Sequence, residues 1–456
     1  MNVATPLRML GLLGMGLLLA AGPSPAPLTY YDHVGPILQA NCVGCHTEGG
    51  VAPFPLDNPE WAVRMAPAIA HSVREGRMPP WPPGSATPPL LDERRLSPEQ
   101  VDTLVAWAGQ GAPLGSPRPW PVETLVRPSQ ANPDRRVTMP QAYTPDGSLY
   151  DDYRCFLVDP GLTQDTFVTG YRVYPGSKAM VHHVILSVIG PNAVANARQL
   201  EARDPAPGWS CFGGSGVQDA QGGLANGLGF WVPGTDGTDF PAGTGKWLPA
   251  GSQIVMQMHY NLANGRLTDQ SQIALFTAPQ GSRLRVLSGG PFAAPIELVC
   301  PPGQNSPLCK RPNERTASNA LHLLCGTSPA DLQSRATNPA RQLTSCERRI
   351  GQDYLVYGVT AHMHLRGVEF RLEVNAGTPQ AQTLLHIPRW DFQWQGQYWY
   401  QEPIAIKRGD RVRISCVFDN SGAIPGPNGQ PLEPRYVTWG EGTTDEMCLG
   451  ALQWAE

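Results

Sequence analysis

Beyond its first 22 residues the 456-residue chain has no apolar run long enough to cross a bilayer, so no stable membrane insertion is expected. It also lacks an excess of either charge: 34 Lys and Arg stand against 38 Asp and Glu. A balanced chain carries no electrostatic footprint for nucleic acid. No lipid-anchoring cysteine follows the N-terminal apolar run. That run, MNVATPLRMLGLLGMGLLLAAG, has one Arg, an apolar stretch and small residues, and then Pro23, Pro25 and Pro27. The order is that of a secretory signal peptide over residues 1–22, with a retained anchor as the alternative. The chain is expected outside the inner membrane, periplasmic or extracellular. Ten cysteines in such a chain point to disulfides.

The stretch ANCVGCHTEGG puts Cys42 and Cys45 two residues apart, with His46 next. A zinc site would need a second Cys/His pair nearby. None exists, since the next cysteine is Cys155. Cys-x-x-Cys-His is the attachment pattern of c-type haem: both thiols add to the porphyrin and the histidine ligates iron. The neighbourhood agrees. YYDHVGPILQANC reads as a helix delivering the cysteines, and NPEWAVRMAPAIAHSVREGR as a second helix. MPPWPP then forces an extended loop after Met78, which makes Met78 the expected sixth ligand, with Met65 and His71 as rivals. In LSPEQVDTLVAWAGQGAP, Ser97 and Gln100 form a capping box and Gly109 and Gly111 stop the helix. Residues 28–116 therefore resemble a small all-α cytochrome c domain. His/Met ligation suits electron transfer.

Residues 117–140 read as a Pro-rich linker. After them helical periodicity disappears. Apolar runs such as VHHVILSVIG, SQIVMQMHYNL and EPIAIKRGDRVRISCVFDN recur between Gly, Pro and Asn turns, the pattern of β-sandwiches. The length calls for two of them, over 141–282 and 283–456. Seven of the ten histidines lie here. Five fall in three strand-like segments: His182 and His183, His259, and His362 with His364. Alternate residues of a strand share a face, so His362 and His364 form a two-pronged metal grip. Imidazole suits copper, zinc, iron or nickel, and a thioether partner such as Met447 moves the choice toward copper.

VHHVILSV, MQMHYN, TAHMHLRG and TTDEMC, in this order, resemble the copper type II, ascorbate-dependent monooxygenases. Relatives in that family include peptidylglycine α-hydroxylating monooxygenase and dopamine β-monooxygenase. The resemblance implies two jelly-roll domains, each holding one copper, across a solvent-filled cleft. It implies an electron-storing copper on His182, His183 and His259. It implies a second, oxygen-reacting copper on His362, His364 and Met447, the catalytic set. Gln257 falls where the family has a glutamine two residues before the third histidine, an electron-transfer candidate. The resemblance also implies a Cys416–Cys448 disulfide. Cys155 and Cys211 are the cysteines left in the first β domain, and their pairing is an expectation. Cys300, Cys309, Cys325 and Cys346 allow three connectivities.

The departures narrow the substrate. Where the peptide-amidating relative holds its peptide with Arg, Asn and Tyr, this chain has Thr360, Leu449 and Ala451. The aromatic run PRWDFQWQGQYWYQEP reads as strand packing. The expectation is a copper monooxygenase hydroxylating a C–H bond of a small organic substrate with O₂. Its electrons would pass through the fused haem from an external donor, a periplasmic redox protein or an ascorbate-like reductant. The alternative is a non-catalytic electron-transfer or copper-binding protein of the same folds.

Overall fold

The computed structural model describes residues 1, 27–50, 52–118, 132–147, 151–211, 214–217, 227–235, 237–262, 265–312, 316–426, 429–440, 442 and 444–456. The expected signal peptide, apart from Met1, and residues 119–131 of the expected linker lie outside the described residues.

Near the N-terminus a π turn, Tyr30–Val34, leads into the helix Gly35–Asn41. Pro36 has no N–H to give the carbonyl four residues back, and the widened turn precedes it. The helix Pro59–Arg74 begins where Asn58 accepts the N–H groups of Glu60 and Trp61. It buries Ala62, Ala66, Ile69, Ala70 and Val73, one face at helical spacing. In the helix Pro98–Gly109 the capping box forms, Gln100 N–H donating to Ser97 Oγ at 3.2 Å and Ser97 N–H to Gln100 Oε1 at 2.9 Å. Tyr30, Val34, Leu38, Ile69, Leu104 and Trp107 close one core among these helices.

The segment between the second and third helices leaves that core and joins the C-terminal β structure. Gly84 N–H donates to His386 O at 2.7 Å, Leu91 N–H to Trp399 O at 2.7 Å, and Gln401 N–H to Pro89 O at 3.0 Å. Leu90 is buried among the residues of that β core, and Trp81 meets Tyr398 edge-on at 5.6 Å.

Most strands stack into two pairs of sheets, beside a two-stranded ladder of Glu297–Leu298 and Val437–Thr438. In the first pair, one sheet runs Arg135–Thr138, Gln272–Thr277, Thr166–Tyr174, Thr244–Leu248 and Arg285–Val286. The other runs Trp209–Ser210, Asp151–Val158, Gln253–Asn261, Val181–Ile189 and Gly229–Trp231. The strand Arg135–Thr138 falls inside the stretch read as linker. Its short alternating pattern, half-buried then exposed, fits an edge strand among prolines and charges. In the second pair, one sheet runs Ser288–Ala294, Cys448–Ala455, Tyr354–His362 and Gln397–Ile406. The other runs Gln342–Arg349, Arg411–Phe418, Gly367–Val374 and Gln382–Ile387. Arg411–Phe418 alternates cleanly, burying Val412, Ile414, Cys416 and Phe418. Gln253–Asn261 is buried almost throughout. Val255 on its outer face packs with Ala197 of the helix Val194–Arg203.

The two sheet pairs share a seam. Tyr357, Trp399 and Ala455 of the second are buried with the core of the first, and Phe240 meets Trp399 at 5.8 Å. Lys246 Nζ donates across the seam to Gln453 Oε1 at 2.9 Å. Four disulfides tie the β half: Cys155–Cys211, Cys300–Cys309, Cys325–Cys346 and Cys416–Cys448. Beside them lies a buried polar knot in which Glu297 takes Arg311, His322 and Tyr436. No helix among the described residues is long and apolar enough to cross a membrane.

Candidate metal centres

His183 and His259 stand opposite each other in the antiparallel strands Val181–Ile189 and Gln253–Asn261. Between Val181 and His183 the register slips by one residue. His182 is the extra residue of this β-bulge. In a regular strand His182 and His183 would point to opposite faces; the bulge turns both toward His259. One nitrogen of each ring lies within 4.8 Å of the others. His182 Nδ1 and His183 Nδ1 are each 3.2 Å from His259 Nδ1.

The far nitrogens of two rings are engaged. His259 Nε2–H donates to Asp151 Oδ1 at 2.8 Å, and His182 Nε2–H to Gln393 Oε1 at 3.1 Å. Each ring then keeps its proton on Nε2 and leaves Nδ1 bare. Two lone pairs facing each other across 3.2 Å repel unless a cation lies between them. Metal–nitrogen bonds of roughly 2 Å suit that spacing. Burial holds His183 and His259 well below the ordinary imidazole range and lowers His182 as well. All three are neutral at pH 7, the ligating form. Tyr153 stacks flat on His259 with centroids 4.2 Å apart, and Phe230 flanks His183 at 5.6 Å.

His362 ends the strand Tyr354–His362, and His364 follows on the same side, the two rings edge-to-face at 5.0 Å. Here Nδ1 is the engaged atom: His362 Nδ1–H donates to Gln395 Oε1 at 2.6 Å, and His364 Nδ1–H to Asp445 O at 3.2 Å. That leaves His362 Nε2 bare, while His364 also reaches the Gly442 carbonyl. Burial and the adjacent His362 push His364 down to about 3, and burial lowers His362. Met447 is buried just before the strand Cys448–Ala455. That strand pairs Leu449 with His362, so Met447 lies two residues beyond the paired end of the ladder. The Cys416–Cys448 disulfide pins this strand end. Buried Glu446 accepts the N–H groups of His364 and Arg366.

One loop touches both clusters. Gln393 bonds His182 and Gln395 bonds His362. Phe392 lies 5.9 Å from His364, and Trp390 Nε1–H donates to His364 O at 3.2 Å. His362 is near enough to His183 to bear on its protonation. This loop thus bridges the two clusters. Beside it is a cavity of about 10 Å³, lined in part by Phe230, Thr360, Gln397 and Gln453. Thr360 Oγ1 has no hydrogen-bond partner there.

Residues 332–454 match the family model of the copper type II ascorbate-dependent monooxygenase, C-terminal domain. The monooxygenase match holds His362, His364 and Met447 together with Gln393, Gln395 and Glu446. The His182, His183 and His259 cluster and the helical unit precede it. No curated protein matches the chain. Solved structures give faint likenesses. An allantoicase is 8% identical, with 61% of this chain and 81% of that chain covered and a TM-score of 0.14. A fucolectin from striped bass serum is 9% identical, with 69% and 85% covered and a TM-score of 0.15. An oxalate decarboxylase variant from Bacillus subtilis is 6% identical, with 72% and 78% covered and a TM-score of 0.13. Likenesses this low carry no argument.

In the helical unit neither Cys42 nor Cys45 takes part in a disulfide. Burial and the neighbouring Cys45 push Cys42 up to about 12, and burial raises Cys45. His46 Nδ1–H donates to Phe54 O at 3.1 Å, leaving Nε2 bare. Met78 is half-buried where the chain leaves for the β half. Met65 packs with Cys42 and Phe54 against the helical core, and His71 is exposed. Gln257 is buried and donates to Cys211 O at 2.7 Å. Asp151, Gln393 and Gln395 escape sequence reasoning. Their types are common and their partners lie 108, 211 and 33 residues away.

Proposed function

We propose that the chain is an exported copper-dependent monooxygenase that inserts one oxygen atom of O₂ into a C–H bond of a small organic substrate. The observation that carries this reading is the pair of neighbouring imidazole clusters, His182, His183 and His259 in one and His362 with His364 in the other. The second cluster lies within the segment matching a copper monooxygenase domain. His182, His183 and His259 would hold one copper; His362, His364 and Met447 would hold the other. Copper supplies one electron from each site, so that O₂, substrate C–H, two electrons and two protons give an alcohol and water. A thioether at the second site favours the reduced metal that meets O₂.

The protein's own part is to fix the rings. Asp151 and Gln393 hold the protons of His259 and His182 away from the metal side. Gln395 and the Asp445 carbonyl do the same for His362 and His364. These partners raise ligand basicity and lock ring orientation. Thr360, Leu449 and Ala451 offer no charged grip for a peptide carboxylate, so the substrate is read as small and uncharged at that end.

Cys42 and Cys45 would carry a covalent haem c, with His46 as its proximal ligand and Met78 as the sixth. The donor chemistry fits: two cysteines left out of the four disulfides beside an imidazole whose Nδ1–H is spent on a carbonyl. The haem would relay electrons from an external one-electron donor. The test is metal analysis of protein matured with copper, followed by O₂ uptake with a reductant and a panel of C–H substrates. Two coppers, one haem and substrate-dependent hydroxylation are expected. Zinc in both histidine sites under copper-replete conditions would overturn the reading.

A further inference from the structure

The cysteine pair of the helical unit does not face solvent alone. A β-carbon at Gly234 would stand 2.6 Å from Cys45 Sγ and 3.2 Å from Arg94 Nη1, and one at Gly44 would stand 3.8 Å from Gly234 Cα. Gly234 has φ +82°, a left-handed conformation that other residues adopt at a cost. The turn at 232–235 is held by Trp231 Nε1–H, which donates to Thr235 O at 2.6 Å, and by Thr235 Oγ1, which donates to Val232 O at 2.8 Å. This turn directly follows the strand Gly229–Trp231, whose Phe230 pairs with Ile185 and whose Trp231 pairs with Val184. Phe230 is fixed at the backbone from both sides. Tyr171 Oη donates to Phe230 O at 2.7 Å and accepts from Phe230 N–H at 2.9 Å. Its ring lies 5.6 Å from His183. Gly229 is needed for that clamp, since a β-carbon there would collide with the Tyr171 ring.

We infer that the turn at 232–235 is the docking point of the Cys42/Cys45 anchor on the first sheet pair. Phe230 is the positioning residue through which that anchor communicates with the His182, His183 and His259 centre. The inference rests on the haem-fed monooxygenase reading and names the entry side of its first centre. Each transfer moves one electron from haem iron(II) to copper(II), giving iron(III) and copper(I). No bond forms or breaks and no proton moves, and an external one-electron reductant restores the iron. The helical unit also meets the second sheet pair, where Arg389 donates to Glu75 O.

The test uses the full haem-bearing chain, stripped of copper, reduced and desalted without oxygen. It is mixed anaerobically with one equivalent of Cu(II) while haem absorbance is followed. The unaltered protein should reoxidise rapidly and His259→Ala should fall to a slow collisional background. Phe230→Leu and Gly234→Leu should each slow the fast phase roughly 10–100-fold, as misplacement of a coupled contact does. Haem midpoint potential and the copper EPR signal should be unchanged in Phe230→Leu, which guards against a misfolded Gly234→Leu. Fast phases of normal rate in both variants would overturn the docking inference while leaving haem-to-copper transfer intact. Haem that stays reduced in the unaltered protein after copper has filled the site would overturn the haem-fed reading, and the docking inference with it.

Discussion

Which nitrogen of an imidazole carries the proton decides which one a metal can use. Asp151 settles this for His259, Gln393 for His182, and Gln395 for His362. Asp151→Ala should therefore weaken copper at the first centre by about 10–100-fold. Competition with a copper chelator should show this with the second centre unaffected. Met447→Ala should weaken Cu(I) at the second centre and depress hydroxylation far more than it lowers total copper, checked by metal analysis beside turnover. The clustering of His182, His183 and His259 was legible from the sequence, because five imidazoles in three apolar strands exceed what packing needs, whereas Met447 stood out only through the family resemblance. The carboxylate and glutamines that orient the imidazoles were not legible. Nothing local marks a lone Asp or Gln whose partner is brought near only by the sheet.

At the scale of elements, the bulge at His182 does what pattern reading cannot anticipate. Alternation would have split His182 from His183. One extra residue reunites them, and the pairing shift that creates it depends on the partner strand. Deleting His182 should restore regular pairing and reduce copper from two per chain to one, with the circular dichroism of the β structure kept. The clean alternation of Arg411–Phe418 could be read directly. That of Gln253–Asn261 could not, because the helix Val194–Arg203 covers its outer face. The aromatic run was half legible: Tyr398, Trp399 and Tyr400 are core, but Gln393 and Gln395 just before them bond His182 and His362. Removing the Cys416–Cys448 bridge by a double Cys→Ala change should cost roughly 2–5 kcal/mol of stability. Chemical denaturation should record it, and copper at the second centre should be lost before the first.

For the whole molecule, the seam between the sheet pairs contains a charge. Burial pushes Lys246 down to about 8 from its ordinary 10.5. The unfolded chain thus holds that proton more tightly than the folded one. Stability should rise as pH goes from about 8 to 10.5, by up to about 3 kcal/mol. Below pH 8 both states are protonated and the cost of burying the charge is fully present. Lys246→Met should remove the rise, seen as a flattened difference curve against the unaltered protein in denaturant titrations across that range. The segment from Gly84 to Leu91 has a different kind of consequence. It lies along the strands bearing His386, Trp399 and Gln401 with Leu90 sunk in their core, so the helical unit is fastened to the β half by contacts additional to its covalent connection. A protease nick between residues 119 and 131 would break the polypeptide and leave the particle whole. The two pieces should elute together from a sizing column and part only in denaturant.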